Sequence, residues 1–160
     1  MRSLGEMARF QLEGRLQVRD GERSAVVGVD WQHTVERDAW LFTGPLGQGL
    51  ASIESRAGRA RMTLSDGRRV EADTAAELAE RVLGVSAPFA ELPLWVTARV
   101  REGAEVRELD ALGRPRQVID RGWIIDYIEY AGEATDDLPR KLEVHRGDTR
   151  LRLIVDSWNP

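Results

Sequence analysis

A chain of 160 residues, 42% apolar and 31% charged, has the composition of a globular protein and the length for one domain with a substantial core. Its net charge of −4 comes from signs mixed along the whole sequence, and the lack of a basic block argues against nucleic acid as a partner. The absence of cysteine removes disulfides, thiol chemistry and cysteine-ligated metals, and no apolar run approaches the length of a membrane-spanning helix.

Taken in chain order, the first predicted element is a short helix over residues 4–9. Phe10, Leu12, Leu16 and Val18 then alternate with polar residues, the period-two mark of a half-buried strand, and Asp20-Gly21 turns it back. Val27, Val29 and Trp31 alternate with Gly28 and Asp30 in a second strand. Residues 40–43 and 50–53 predict a third and a fourth. Between them Gly44-Pro45-Leu46-Gly47-Gln48-Gly49 makes a turn, since three glycines and a proline supply its conformations. Turn residues normally face water, so Leu46 has nothing obvious to pack against. Two readings stay open for it: a leucine folded back on its own hairpin, which is the more ordinary, or an apolar tip that meets a membrane or an acyl chain.

Residues 59–64 and 68–72 continue the antiparallel meander around Ser65-Asp66-Gly67. The period then changes. Ala75, Leu78, Ala79 and Val82 fall on one helical face, with Thr74 and Glu77 spaced as a capping box and Gly84 as the stop. A second short helix is expected from near Glu91, with Pro93 in its first turn and Leu92, Trp95 and Val96 on one face. Strands resume at 106–109, 115–119, 123–130, 141–145 and 150–155, with a polar loop over 131–139. Ten or eleven strands in one sheet must curl. The expected fold is mainly β with an α insert: a curved antiparallel sheet of about 11 strands, forming an open, half-closed β-barrel that covers two or three helices. It is one domain over residues 1–160, with the helical insert at about 74–98. Such an arrangement leaves an apolar space between sheet and helices.

Residues that carry chemistry are scarce. His33 and His145 have no second histidine or carboxylate at metal-ligand spacing and read as solvated side chains. No Gly-x-Ser-x-Gly elbow occurs, and Asp136-Asp137 lies in a polar loop. The glycine-rich turn at 44–49 lacks the lysine and the strand-to-helix context of a phosphate loop. No catalytic residue, metal or cofactor is therefore expected. Five tryptophans, Trp31, Trp40, Trp95, Trp123 and Trp158, are left to fill a core or to line a hollow.

Several pieces in this order resemble the LolB family, the outer-membrane lipoprotein receptors of Gram-negative bacteria. Gly14-Arg15-Leu16-x-Val18-Arg19, Trp31-Gln32, Pro45-Leu46-Gly47 and Asp66-Gly67 followed by Ala72-Asp73 and Glu77-Leu78 are similar to its first half. Gly84, Pro88, Leu92 and Trp95 fit its helical insert, Gly122-Trp123-x-Ile125-x-Tyr127-x-x-Tyr130 its central strand, and Leu138-Pro139-x-x-Leu142 and Leu151-x-Leu153-x-x-x-x-Trp158 its ending. Two positions depart from it: Ala98, where the family often has glycine, and Asp120-Arg121, where it often has Gln-Asp.

The resemblance implies a non-enzymatic acceptor that takes lipoprotein acyl chains from the periplasmic carrier LolA into a hydrophobic cavity and places the lipoprotein in the outer membrane. Pro45, Leu46 and Gly47 would form the membrane-insertion loop. The cavity is expected to involve Leu16, Val29, Trp31, Trp40, Phe42, Leu50, Leu78, Leu92, Trp95, Trp123 and Tyr127. Family members are lipid-anchored at the periplasmic face of the outer membrane. This sequence has neither a signal peptide nor the acylated cysteine, so it is expected to behave as a soluble, unanchored version. Rival readings are a general binder of lipids or small apolar ligands without a delivery role, a lipid hydrolase, which lacks a nucleophile–base pair, and a scaffold that pairs through sheet edges.

Overall fold

The computed structural model describes residues 9–159. The helix expected over 4–9 lies outside the described residues. Eleven strands form a single antiparallel sheet. They are β1 (Phe10–Asp20), β2 (Arg23–His33), β3 (Arg37–Thr43), β4 (Gly49–Arg56), β5 (Arg59–Leu64), β6 (Arg69–Ala72), β7 (Glu105–Leu109), β8 (Pro115–Asp120), β9 (Trp123–Tyr130), β10 (Pro139–Arg146) and β11 (Thr149–Asn159). The spatial order is β6-β5-β4-β3-β2-β1-β11-β10-β9-β8-β7. One meander runs outward from the centre, the insert carries the chain across to the far edge, and a second meander returns to pair β11 with β1. β6 and β7 do not pair, so the sheet stays open as expected.

The central β1–β11 ladder carries a bulge between Glu13 and Gly14. A Cβ at Gly14 would come within 2.2 Å of the Ile154 carbonyl oxygen, so only glycine allows this close approach of backbones.

Among the described residues, two α-helices fill the curve. Helix α1 (Ala75–Leu83) starts where the Thr74 hydroxyl accepts a hydrogen bond from the Glu77 amide at 3.2 Å and ends at Gly84, whose φ of 66° fits glycine. It packs on β4, β5 and β6 and buries Leu78, Ala79 and Leu83. The second helix begins slightly differently from expectation. A 3₁₀ turn (Phe89–Glu91) precedes α2 (Leu92–Val96), because Pro93 suits only the first turn of an α-helix. α2 buries Leu92, Trp95 and Val96 together. The core is the concave face of the sheet plus these helical faces: Leu12, Leu16, Phe42, Ile53, Ile125, Leu142, Leu151 and their neighbours are almost fully covered. Each buried leucine or isoleucine contributes roughly 1.5–3 kcal/mol.

Candidate binding mouth and exposed loop

Alternate ends of the strands define two rims. The upper rim holds the β2–β3 and β4–β5 turns, and the lower rim holds the β3–β4 turn. At the upper rim a mouth of about 310 Å³ opens between the β2–β3 turn, the β4–β5 turn, the start of α1 and the 3₁₀ turn. This is at the low end of ligand-pocket volumes, which run to about 1,000 Å³. Its floor is aromatic. Trp31 and Trp40, opposite each other on β2 and β3, stack with ring centroids 3.9 Å apart, and Phe89 stands edge-on to Trp40 at 6.3 Å. Ala75, Ala76, Ala79 and Pro93 give the helical wall its small, apolar surface.

One carboxylate sets this floor. Asp38 Oδ1 accepts a hydrogen bond from Trp31 Nε1 at 2.8 Å and lies 2.7 Å from His33 Nδ1. The ring of Phe10 stacks on His33 at 5.0 Å. The expectation of solvated histidines is thus corrected. His33 is mostly buried against Asp38, and His145 lies 3.2 Å from Asp126 Oδ2. Hairpin register makes the first pairing, since His33 stands directly opposite Asp38. Among the described residues no group of three or more His, Asp or Glu side chains could hold a metal ion.

Of the residues assigned to the cavity, Trp31 and Trp40 line this mouth. Leu16, Val29, Phe42, Leu78, Leu92, Trp95, Trp123 and Tyr127 are buried in the packed contact between sheet and helices, and Leu50 is half-buried beside it. Phe89, Ala76 and Asp38 also belong to the mouth, and sequence reasoning did not single them out.

A polar latch holds α2 to the sheet beneath the mouth. Asp120, 2% exposed at the end of β8, accepts from Trp95 Nε1 at 2.9 Å and forms an ion pair with Arg101 Nε at 2.8 Å. Glu91 pairs with the other end of the Arg101 guanidinium and with Arg121 at 2.8 Å. Burial pulls the Arg101 pKa down, but the hydrogen bond and charge of Glu91 and then the charge of Asp120 outweigh it and hold the guanidinium above its usual range. The Tyr127 hydroxyl donates to the Trp95 carbonyl at 2.7 Å, and its burial raises its pKa far above that of a free phenol. It is a structural hydrogen-bond donor.

At the lower rim Leu46 is 91% exposed, the most exposed of the large apolar side chains described. The turn itself is well tied. The Gly47 amide donates to the Gly44 carbonyl at 3.0 Å, the Gly44 amide to the Gln48 carbonyl at 2.8 Å, and the Leu46 amide to Gln48 Oε1 at 3.0 Å. Gly47 has φ of 80°, which explains a glycine directly after the leucine. Leu46 is not folded back on its hairpin. A braced turn displays it to solvent.

An unclosed, curved antiparallel sheet with a short helical insert in its concave face is an architecture that solved structures share. It is shared by the LolA superfamily protein from Nitrosomonas europaea (TM-score 0.54, 8% identity, 97% of this chain and 90% of that one). It is also shared by the putative outer membrane lipoprotein-sorting protein domain from Vibrio parahaemolyticus (TM-score 0.59, 10% identity, 96% and 85%). At these identities the likeness shows the fold alone. The sequence goes further. The family model described as "Outer membrane lipoprotein LolB" matches residues 8–158, and the chain belongs to that family. Among similar curated proteins, the outer-membrane lipoprotein LolB of Azoarcus sp. (strain BH72) is 45% identical over 94% of this chain and 78% of its own length. That of Thiobacillus denitrificans is 37% identical over 93% and 79%. The chain is thus a member of a lipoprotein-sorting family, and no helix among its described residues is long and apolar enough to cross a membrane.

Proposed function

We propose that this protein accepts lipoprotein acyl chains from a periplasmic LolA-type carrier, shelters them between sheet and helical insert, and releases them into the inner leaflet of the outer membrane. The reading rests on family membership together with one observation: the aromatic-floored opening at the upper rim borders a mostly apolar contact between sheet and helices. Exposing an acyl chain to water costs about 0.8 kcal/mol per methylene, so a lipoprotein with several chains needs cover between membranes. Hydrocarbon enters at the mouth between Trp40 and the alanine face of α1. Longer chains are housed by displacing the insert from the curve. Moving a chain from one apolar place to another is nearly neutral, so no nucleotide is needed, and a difference of about 1.4 kcal/mol gives a tenfold preference for the next acceptor. Pro45, Leu46 and Gly47 form the tip that enters the membrane. One leucine supplies only about 1.5–3 kcal/mol, enough for transient contact and too little for anchorage.

The test is transfer between purified proteins. A lipoprotein-loaded LolA-type donor is mixed with this protein, and the lipoprotein is then chased into vesicles. The expected result is capture from the donor followed by release to vesicles, with Leu46→Glu capturing normally and delivering slowly. Retention by the donor would sink the acceptor role and leave only a general binder of apolar ligands. Normal delivery by Leu46→Glu would remove the loop from the mechanism.

A further inference from the structure

The convex face of the sheet carries a charge arrangement that its own fold does not satisfy. Arg19 on β1 stands directly opposite Arg150 on β11. Arg152, two residues along β11, shares their face, and the three line a groove of about 240 Å³ with Gln17 and Glu143. Like charges opposite each other on neighbouring strands repel, and sheets ordinarily place opposite charges there. Elsewhere the sheet mixes the two arrangements: Glu13 faces Asp30 and Arg56 faces Arg59, while other charges find opposite partners. Arg15 meets Asp156 at 3.2 Å, Arg61 meets Glu71 at 3.5 Å, and Arg140 meets Glu129 at 3.4 Å. Where Arg37 faces Arg56, Glu54 answers Arg37 at 2.9 Å. Among the described residues neither Arg19 nor Arg150 has an ion pair, and Arg152 has only Glu143, at 3.9 Å. His145, opposite Arg150, adds no negative charge.

The position is as informative as the charge. Arg19 immediately precedes Asp20, where β1 ends, and Arg150 is the second residue of β11. Both therefore sit at the lower rim, the end that displays Leu46. With strands about 4.8 Å apart and the order β3-β2-β1-β11, the Leu46 hairpin and the arginine pair are roughly 10–15 Å apart across the strands, and Arg19, opposite Ser24, lies nearer the start of β2 than Thr43, opposite Gly28. Of the nearby acids, Asp20 accepts from the Thr149 hydroxyl at 2.9 Å. Glu22 and Asp148 lie in the neighbouring turns, and neither forms an ion pair with Arg19 or Arg150 among the described residues.

We propose that Arg19, Arg150 and Arg152 form a docking face for the anionic headgroups of a phospholipid bilayer, engaged while Leu46 enters the apolar layer beside it. The inference rests on the reading of Leu46 as a membrane tip and adds the lipid class that orients it. Anionic headgroups would relieve the repulsion that the fold leaves in place.

The experiment is co-sedimentation of the full chain with phosphatidylcholine vesicles, with and without phosphatidylglycerol, at low and raised salt. Each juxtamembrane arginine is expected to strengthen binding to the anionic surface about fivefold. The unsubstituted protein should prefer the anionic vesicles at least tenfold, and salt should erase that preference. The triple variant Arg19→Gln, Arg150→Gln, Arg152→Gln should lose the preference and keep its binding to neutral vesicles. Leu46→Glu should instead weaken binding to neutral vesicles, so the two readings fail separately. The single variant Arg150→Gln, expected to melt no lower than the parent, serves if the triple variant misfolds. Equal binding of the parent to both vesicle types, or a triple variant that keeps the preference, would overturn the proposal. Full displacement by soluble glycerol phosphate would also overturn it, by assigning the arginines to a free anion.

Discussion

The two rims of this sheet use apolar residues in opposite ways. At the upper rim Trp31, Trp40 and Phe89 turn inward around a hollow, braced by Asp38 and walled by the alanines of α1. At the lower rim a single leucine points outward on a turn closed by its own backbone. Strand β3 connects them: Arg37 borders the mouth and Thr43 enters the Leu46 turn, roughly 20 Å away at the rise of an extended chain. The hollow and the exposed leucine, proposed to shelter acyl chains and to meet a membrane, thus sit at separate ends of one sheet. Damage to one end should therefore leave the other intact, and substitutions can test that independence.

The strongest challenge to independence is the latch, because α2 touches both ends. Pro93 borders the upper mouth, while Asp120 ties Trp95 and Arg101 at the lower end of β8. Asp120→Ala leaves the Trp95 indole N–H without its acceptor and the Arg101 guanidinium with Glu91 alone, and urea unfolding should show a loss of about 1–3 kcal/mol. If the insert is what must move, the variant should also take up an apolar fluorescent probe more readily. A loss below about 1 kcal/mol would mean that the latch carries little. A second blow falls on the upper rim alone. Ala76→Phe places a ring in the mouth, with an expected cost of about 1–3 kcal/mol from overpacking. Probe uptake should fall while vesicle contact through Leu46 stays unchanged. Unaltered uptake would place the entrance elsewhere.

Acid offers a comparison of the two rims without mutation. Asp110, in the upper β7–β8 turn, is pulled upward by burial, but the Arg114 amide and guanidinium outweigh this and hold its pKa below the usual carboxylate range. Asp66, in the lower β5–β6 turn, is held low chiefly by the Arg68 amide and then by the Arg68 side chain. A depressed folded-state pKa adds stability above the unfolded value, near 3.9, and that stability disappears as pH falls through the folded value. Both turns should loosen only below about pH 4. The upper one should lose more, because Arg114 also donates to the Gly132 and Ala134 carbonyls and lies over the Tyr130 ring. Amide exchange at each turn between pH 5 and 3, roughly the range over which carboxylates titrate, measures this.

Much of this architecture was legible in the sequence, for local reasons. Period two marks β1, β2 and β9 because each buries one face, and Thr74 and Gly84 bound α1 because caps are local chemistry. Leu46 stood out because a leucine between Pro45 and Gly47 breaks the rule for turns. What stayed hidden depends on curl and register. Trp31 and Trp123 are both inward tryptophans on strands, but Trp31 lies near the upper end of β2 and Trp123 opens β9 at the lower rim, and only the assembled sheet shows which end carries the mouth. Phe89 follows Ser86-Ala87-Pro88, a stretch with no period at all. The His33–Asp38 contact exists only once the β2–β3 register sets them opposite each other. The Arg19–Arg150 pair likewise joins residues from the two ends of the chain.

The arginine pair on the convex face can be tested in the same way. If the repulsion is real, Arg19→Gln should raise stability by about 0.2–1 kcal/mol, against the usual trend of substitutions. A loss instead would mean that the arginine stems pack on the sheet and contribute through contact area.

The smallest expected effect is the sharpest test of the comparison. Leu46→Ala removes a side chain that touches almost nothing in the folded protein, so stability should stay within about 0.5 kcal/mol of the parent. Its contribution of roughly 1.5–3 kcal/mol exists only when the leucine leaves water for another apolar phase. Vesicle binding should therefore fall by about tenfold or more while the urea midpoint does not move. Were unfolding to shift by more than about 1 kcal/mol, the leucine would be part of its own hairpin's packing, as an ordinary buried leucine is. The lower rim would then be a stable corner of the fold rather than a surface held in reserve for a membrane.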